Sequence, residues 1–319
     1  YSHLAHLNIS LNSGDDIAGT IHAVGAKVSD LEVGDRVAAM HKMLAAGGAY
    51  AEYAVAPAST TLRLPERVSF EEAATIPLVL LTAAVTLYRR QKLPEPWSLG
   101  SGDVPPTPTP LIVYGASSAL GCFAIKLAKA SNVHPIVAIA GGSSEYVGTL
   151  LDATKGDRLV DYRNGVQTMQ KDVLEALGGL KVRHAVDCIS SNGTWVPLAQ
   201  LLDCEGKGVL SVVSGSNKYD EVEIPRGVNI LYTYVGTVHE GAYKPSMPKQ
   251  PVDKEEVERD IEWVKVFVGR VGEMLERGEI SGHPFRVVPG GLEGVEEGLR
   301  KLKSGEAKGY KFVYRVLEE

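Results

Sequence analysis

Ser117, Ser118, Ala119, Leu120 and Gly121 stand between a short apolar run, Leu111-Ile-Val-Tyr114, and an amphipathic stretch over residues 122–130. The run reads as a buried parallel strand and the stretch as a helix. A strand, a turn of mostly small residues and a helix start leave free backbone N–H groups and the positive end of a helix dipole aimed at one point. That arrangement binds an anion, and small residues let the backbone approach a pyrophosphate closely. The glycine fingerprint of such turns is incomplete. Ala116 and Ser118 hold the first two glycine positions and only Gly121 keeps its place, so the string alone fits an ordinary strand-to-helix turn as well.

A second chemical signal follows the strand over 135–140, which ends in Gly141-Gly-Ser-Ser144. An acid at this strand end would bind a ribose 2′-hydroxyl. None is present, and Glu145 falls inside the next helix start. The hydroxyls of Ser143 and Ser144 leave room for a 2′-phosphate and can donate to it, which predicts NADPH over NADH. The plainer alternative is that these serines only cap a helix. Proton donors to a substrate come from solvent or from a side chain. Tyr50, with Tyr53, in an alternating stretch and His239 after the sixth strand are the candidates, each weighed against a purely structural role.

These groups need a frame. Apolar strands are expected at 111–114, 135–140, 158–161, 183–189, 207–213 and 228–237, with helices at 121–131, 144–153, 166–177 and 194–203 between the first five. That rhythm makes a doubly wound parallel sheet with its functional edge at the strand carboxyl ends. Before it, residues 14–28, 31–39 and 47–55 read as glycine-punctuated strands. Ser69 and Glu72 form a capping box, and a buried helix follows over 78–90. Six prolines between 93 and 110 imply a surface loop. Near the C-terminus a charged helix is expected over 254–277, then a second helix from Gly290 and a strand at 310–316.

The chain of 319 residues is 44% hydrophobic and 23% charged, with a net charge of −6. The acidic balance weighs against a nucleic-acid or anionic-membrane partner, and no apolar run is read as reaching the ~18 residues of a membrane span. Cys122, Cys188 and Cys204 are widely spaced, as buried thiols in a reducing, cytoplasmic setting would be. No Cys-x-x-Cys or His-Glu-x-x-His spacing exists, so no metal is expected.

The motifs Gly14-Asp-Asp-Ile-Ala-Gly-Thr, Val33-Gly-Asp-Arg-Val, Gly48-Ala-Tyr-Ala-Glu-Tyr, Thr75-Ile-Pro and Thr82-Ala-Ala, in this order, resemble the medium-chain dehydrogenase/reductase superfamily. Within it the chain is similar to the zinc-free quinone oxidoreductases and to fungal trans-acting enoyl reductases, on Lys155-Gly-Asp-Arg-Leu-Val-Asp-Tyr-Arg163 and Pro289-Gly-Gly-Leu-Glu-Gly-Val. Zinc members carry Gly-His-Glu where this chain has Gly14-Asp15-Asp16. The resemblance implies an α/β fold, a Rossmann dinucleotide-binding domain over 86–243 plus a mainly β, GroES-like catalytic domain over 1–85 and 244–319. It implies that Thr82 lies beside the nicotinamide, and that backbone near Ile189 and Ser190 and near Val213 and Ser214 holds its carboxamide side. It further implies that Tyr146, in place of a family lysine, and Tyr162 contact the 2′-phosphate, and that Lys311 reaches the phosphates.

Without zinc, a carbonyl must be activated by hydrogen bonds to the developing oxyanion, which favours conjugated acceptors. The expected function is NADPH-dependent reduction of an enoyl or enone C=C on a small molecule or acyl chain, free or carrier-bound. Alternatives are quinone reduction, or a non-catalytic relative that binds nucleotide or RNA. The chain is expected to be a homodimer, paired through the strand at 228–237, or a monomer.

Overall fold

The computed structural model describes residues 14–98, 108–205, 207–242 and 252–317. In chain order these form β1 (Asp16–Thr20), β2 (Arg36–Met40), β3 (Thr61–Arg63), α1 (Phe70–Ala73), α2 (Pro77–Ala84), β4 (Leu111–Tyr114), α3 (Ala119–Ala130), β5 (Ile136–Ala140), α4 (Glu145–Leu150), β6 (Arg158–Asp161), α5 (Val166–Leu177), β7 (His184–Asp187), α6 (Trp195–Ala199), β8 (Gly208–Val212), β9 (Val228–Tyr232), α7 (Lys254–Arg277), β10 (Phe285–Val288), α8 (Val295–Lys303) and β11 (Lys311–Tyr314).

Strands β4 to β9 make one parallel sheet in the order β6-β5-β4-β7-β8-β9. The chain winds outward from β4 to β6, then returns to lay β7 on the other side of β4. That reversal opens a crevice beyond the paired ends Tyr114 and Asp187. β5 is buried along its whole length and β4 over all but its last residue. Burial on both faces explains why these strands are unbroken apolar runs rather than alternating ones. The remaining strands form an antiparallel sheet, β1-β2-β3, and a parallel pair, β10-β11. The doubly wound half and the mainly β portion are therefore both present.

Local signals account for most element ends. Ser69 Oγ accepts from Glu72 N at 3.1 Å, as a capping box requires. The Glu72 carboxylate does not close the box. It accepts from Gly282 N at 2.8 Å and ties α1 to the segment before β10. Helix α7 spans the residues its charge pattern marks out, between the Asp253 cap and Gly278 at φ +72°. Helix α2 continues into a wider turn over Val85–Arg90, in which Gln91 N donates to Thr86 O, five residues back. Arg89 and Arg90 on this turn both bind the fully buried Asp260 of α7, at 2.8 and 2.7 Å.

Four expectations meet different outcomes. Residues 47–55 form a folded loop, not a strand: Gly47 sits at φ +85° and accepts from Val55 N, so the chain doubles back before a ladder can start. The strand at 228–237 stops at Tyr232, and a buried single turn, Val235–Val238, follows it. The stretch Phe70–Arg90 is, after all, long and apolar enough to cross a membrane, but most of it is buried inside the fold, where Leu80, Leu81, Val85 and Leu87 join the core shared with α3. The proline-rich loop lies largely outside the described residues, as does the domain boundary at 243/244, while the boundary at 85/86 falls within the continuous helix over 77–90.

Candidate functional site

The anion-binding turn is built as its composition requires. Gly115 takes φ +70° directly after β4, and a Cβ there would meet the Ile189 side chain at 2.5 Å. Ser118 caps α3, its hydroxyl accepting from Gly121 N at 3.0 Å. Ala119 and Leu120 begin the helix, so their N–H groups have no intrahelical acceptor and point outward. Gly121 is needed for packing: a Cβ on it would lie 2.5 Å from Gly115 O and 2.7 Å from Ala116 Cα. The turn therefore fits a pyrophosphate by cradle shape and by open amides.

Across the crevice, β7 ends in Asp187, a fully buried carboxylate. Its Oδ1 accepts from Ile189 N at 3.0 Å and Ser190 N at 2.8 Å, and its Oδ2 from the Thr194 hydroxyl at 2.5 Å. These bonds hold Ser190 and Asn192 at positive φ, 49° and 54°, where non-glycine residues are uncommon. The Ser190 hydroxyl donates to Asp187 O and accepts from Val213 N at 2.9 Å, which joins the loops after β7 and β8. Ser190 and Val213 thus lie together at the expected edge. Their organiser, Asp187, was legible only as a polar end to an apolar strand.

At the end of β5, Gly141 lies under the Tyr162 ring, which a Cβ would meet at 3.0 Å. Ser144 holds the N-cap position of α4 without a side-chain cap bond, so the capping alternative does not account for its hydroxyl. Ser143 packs against Gly309. Arg163, which sequence reasoning passed over, lies over this loop: its Nη1 would be 3.3 Å from a Cβ on Gly142. Its guanidinium is gripped by Asp161 at 2.6 to 3.0 Å, and those bonds bring the Asp161 carboxyl down to about 2. Tyr146 faces elsewhere. Its ring packs edge-on against His283 and its hydroxyl lies 3.4 Å from Gly282 O, in the seam between α4 and the segment before β10.

The third part is an open cleft of about 1800 Å³, lined by Asp15, Asp16, Tyr50, Leu78, Ala119 and Lys311 among others. It places the start of the phosphate helix beside β1 and β11. Asp16 Oδ1 accepts from Leu78 N at 2.6 Å, in the first turn of α2, and Oδ2 accepts from Lys311 Nζ at 2.5 Å. Tyr50 packs edge-on against Tyr314. Thr82 is half-buried one turn beyond Leu78 and donates its hydroxyl to Leu78 O at 2.7 Å.

His239 is corrected as a proton donor. It is 4% exposed, its Nε2 lies 2.9 Å from the Thr60 hydroxyl, and burial first, then Lys42 and His41, bring it down to about 4. A walled-in, neutral imidazole has no acidic proton to give a substrate at neutral pH. Asp15 was missed: it was visible only as the residue standing where zinc relatives have histidine. Among the described residues, no group of three or more His, Cys, Asp or Glu is placed to hold a metal.

A switch-point phosphate turn, a small β sheet beside it and a cleft joining the two define a medium-chain dehydrogenase/reductase. Residues 2–66 match the alcohol dehydrogenase GroES-like domain. The chain is 38% identical over 285 residues to the trans-enoyl reductase fsr4 of Gibberella fujikuroi, covering 89% of this chain and 77% of that protein. It is 29% identical over 315 residues to lovC, the enoyl reductase component of lovastatin nonaketide synthase from Aspergillus terreus, covering 95% and 81%. In fold it is similar to the CurK enoyl reductase, with a TM-score of 0.68 at 19% identity over 98% of this chain and 83% of that one. The chain belongs to the trans-enoyl reductase family and is an oxidoreductase that works with a nicotinamide cofactor.

Proposed function

We propose that this protein is a cytoplasmic, NADPH-dependent, zinc-independent reductase of the conjugated double bond of an acyl chain, free or carrier-bound. The observation that carries this reading is the cleft itself, in which Ala119 of the phosphate turn shares one space with Asp15, Asp16, Tyr50 and Lys311. The bound nicotinamide would supply the hydride. The amides of Ala119 and Leu120 would hold the pyrophosphate, with Lys311 nearby. Ser143, Ser144 and Arg163 would receive the 2′-phosphate at a strand end that carries no acid. The loop shaped by Asp187 would seat the carboxamide, with Thr82 beside the nicotinamide.

Aspartates at 15 and 16, in place of a soft or imidazole ligand set, support activation of the carbonyl by hydrogen bonds rather than by zinc. An acyl substrate carried by a partner is supported by lovC, which is named as a component of a synthase. The test is to follow NADPH absorbance with a panel of 2-enoyl thioesters and a panel of quinones, with and without a chelator. Turnover of the thioesters, unaffected by the chelator and faster with NADPH than NADH, is the expected result. Quinone turnover alone would replace this reading.

A further inference from the structure

We propose that Asp15 is the acid that protonates the α-carbon of the substrate, a role within the enoyl reduction proposed above and resting on it. Its neighbour Asp16 has both oxygens occupied, by Leu78 N and by Lys311 Nζ. The Asp15 carboxyl, by contrast, makes no side-chain hydrogen bond among the described residues, and it lies half-buried in the cleft wall. Two carboxyl groups side by side, one tied into a helix start and an ion pair and the other untied, divide their roles: the tied one holds β1, α2 and β11 together, and the untied one is left to carry a proton to the substrate.

Among the described residues, the charged and titratable groups around Asp15 are few. Asp16 follows it as the first residue of β1, and His41 comes directly after β2. Tyr234 follows β9, and the Tyr50 ring packs on Gly14. Burial, then repulsion by Asp16, raises the Asp15 carboxyl above its ordinary range, and His41 opposes this. An acyl chain entering the cleft removes more water and acts in the same direction as burial. His41 is itself held by backbone, its Nδ1 lying 2.6 Å from Val55 O and its Nε2 3.2 Å from Ala45 O, so it does not compete for the Asp15 oxygens.

The step balances. Hydride adds to the β-carbon, and the π pair of the C=C becomes the enolate of the thioester. The Asp15 O–H bond breaks, a C–H bond forms at the α-carbon, and the carboxylate left behind is reprotonated by water entering the open cleft. The reductant is NADPH, and the net uptake is one hydride and one proton.

The test uses the whole protein, its Asp15→Asn and Asp15→Glu variants, and 2-enoyl thioesters. Asp15→Asn is expected to lower kcat by about 100-fold or more with little change in KM. Asp15→Glu should recover part of that loss, and NADPH Kd, read by fluorescence, should stay within about twofold. The fall of kcat on the alkaline side, present in the unsubstituted protein, should vanish in Asp15→Asn. Independently of activity, a 13C NMR titration should place the Asp15 carboxyl above the ordinary aspartate range. The idea is overturned if Asp15→Asn keeps its kcat and the alkaline fall, if Tyr50→Phe removes that fall instead, or if the carboxyl titrates at or below the ordinary value. The two readings fail separately. No thioester turnover by the unsubstituted protein ends both, whereas turnover that survives Asp15→Asn ends only this one.

Discussion

Lys311 Nζ lies 2.5 Å from Asp16 Oδ2, an ion pair between the last strand and the first with side chains only 22% and 14% exposed. The same carboxylate accepts from Leu78 N, so one group ties β1, α2 and β11 together. Removing Lys311 leaves Asp16 half-buried with no counter-ion. Lys311→Met is therefore expected to cost on the order of 1–2 kcal/mol of stability, read as a lower urea midpoint. It should also weaken NADPH binding by roughly tenfold, since the ammonium stands in the same cleft as Ala119. An unchanged Kd would take Lys311 out of the phosphate site and leave it a structural residue only.

Arg163 tests the cofactor preference. Its guanidinium is exposed and already oriented by Asp161 over the loop after β5. Arg163→Ala should raise the NADPH Kd by about tenfold and leave the NADH Kd nearly unchanged, because only the former carries the extra phosphate. Isothermal titration with both cofactors measures this. Equal losses for the two would move Arg163 away from the 2′-phosphate.

Gly121 tests the cradle. Its missing Cβ faces backbone, Gly115 O and Ala116 Cα, neither of which can swing aside. Gly121→Ala should push α3 off β4, with a stability loss of about 2 kcal/mol or more and NADPH affinity reduced by at least tenfold. Gly148→Ala is the control, since a Cβ there meets nothing within 4 Å. If both variants bind NADPH like the parent, the close helix–strand approach is not what shapes the site.

Acid should unfold the protein early. Burial brings His184, His239 and His283 down to about 4, so each stays neutral in the fold while the unfolded chain takes up a proton near 6.5. Protons therefore favour the unfolded state as pH falls from about 6.5 to about 4, and above that window these groups contribute no pH dependence. The ceiling is about 3 kcal/mol per histidine at pH 4. Urea midpoints at pH 7, 6 and 5 should fall steadily, and a flat series would contradict the burial seen here.

The doubly wound half was readable because each of its signals is local. Burial on both faces makes β4 and β5 continuous apolar runs, and Ser118 and Gly121 mark the turn between strand and helix. The loop over 47–55 misled because alternation also arises when a chain folds back at a positive-φ glycine. Asp16, Asp187 and Arg163 were not readable as site residues. Their roles come from partners 62 and 295 residues away for Asp16, from the shape of a strand-end loop for Asp187, and from proximity to a glycine in the loop after β5 for Arg163. His239 misled for the opposite reason: a histidine after a strand looks available until the Thr60 hydroxyl and the surrounding packing enclose it.

The wide turn over Val85–Arg90 has a consequence for how this helix tolerates length changes. It alters the angular phase of the helix enough that two successive arginines, 89 and 90, both reach the single carboxylate of Asp260. Deleting one residue there would restore ordinary pitch and rotate one guanidinium away, leaving half of a buried charge cluster unmatched. Exposed loops elsewhere in the chain can gain or lose a residue with small effect, but this turn acts as a spacer of set length between α2 and α7.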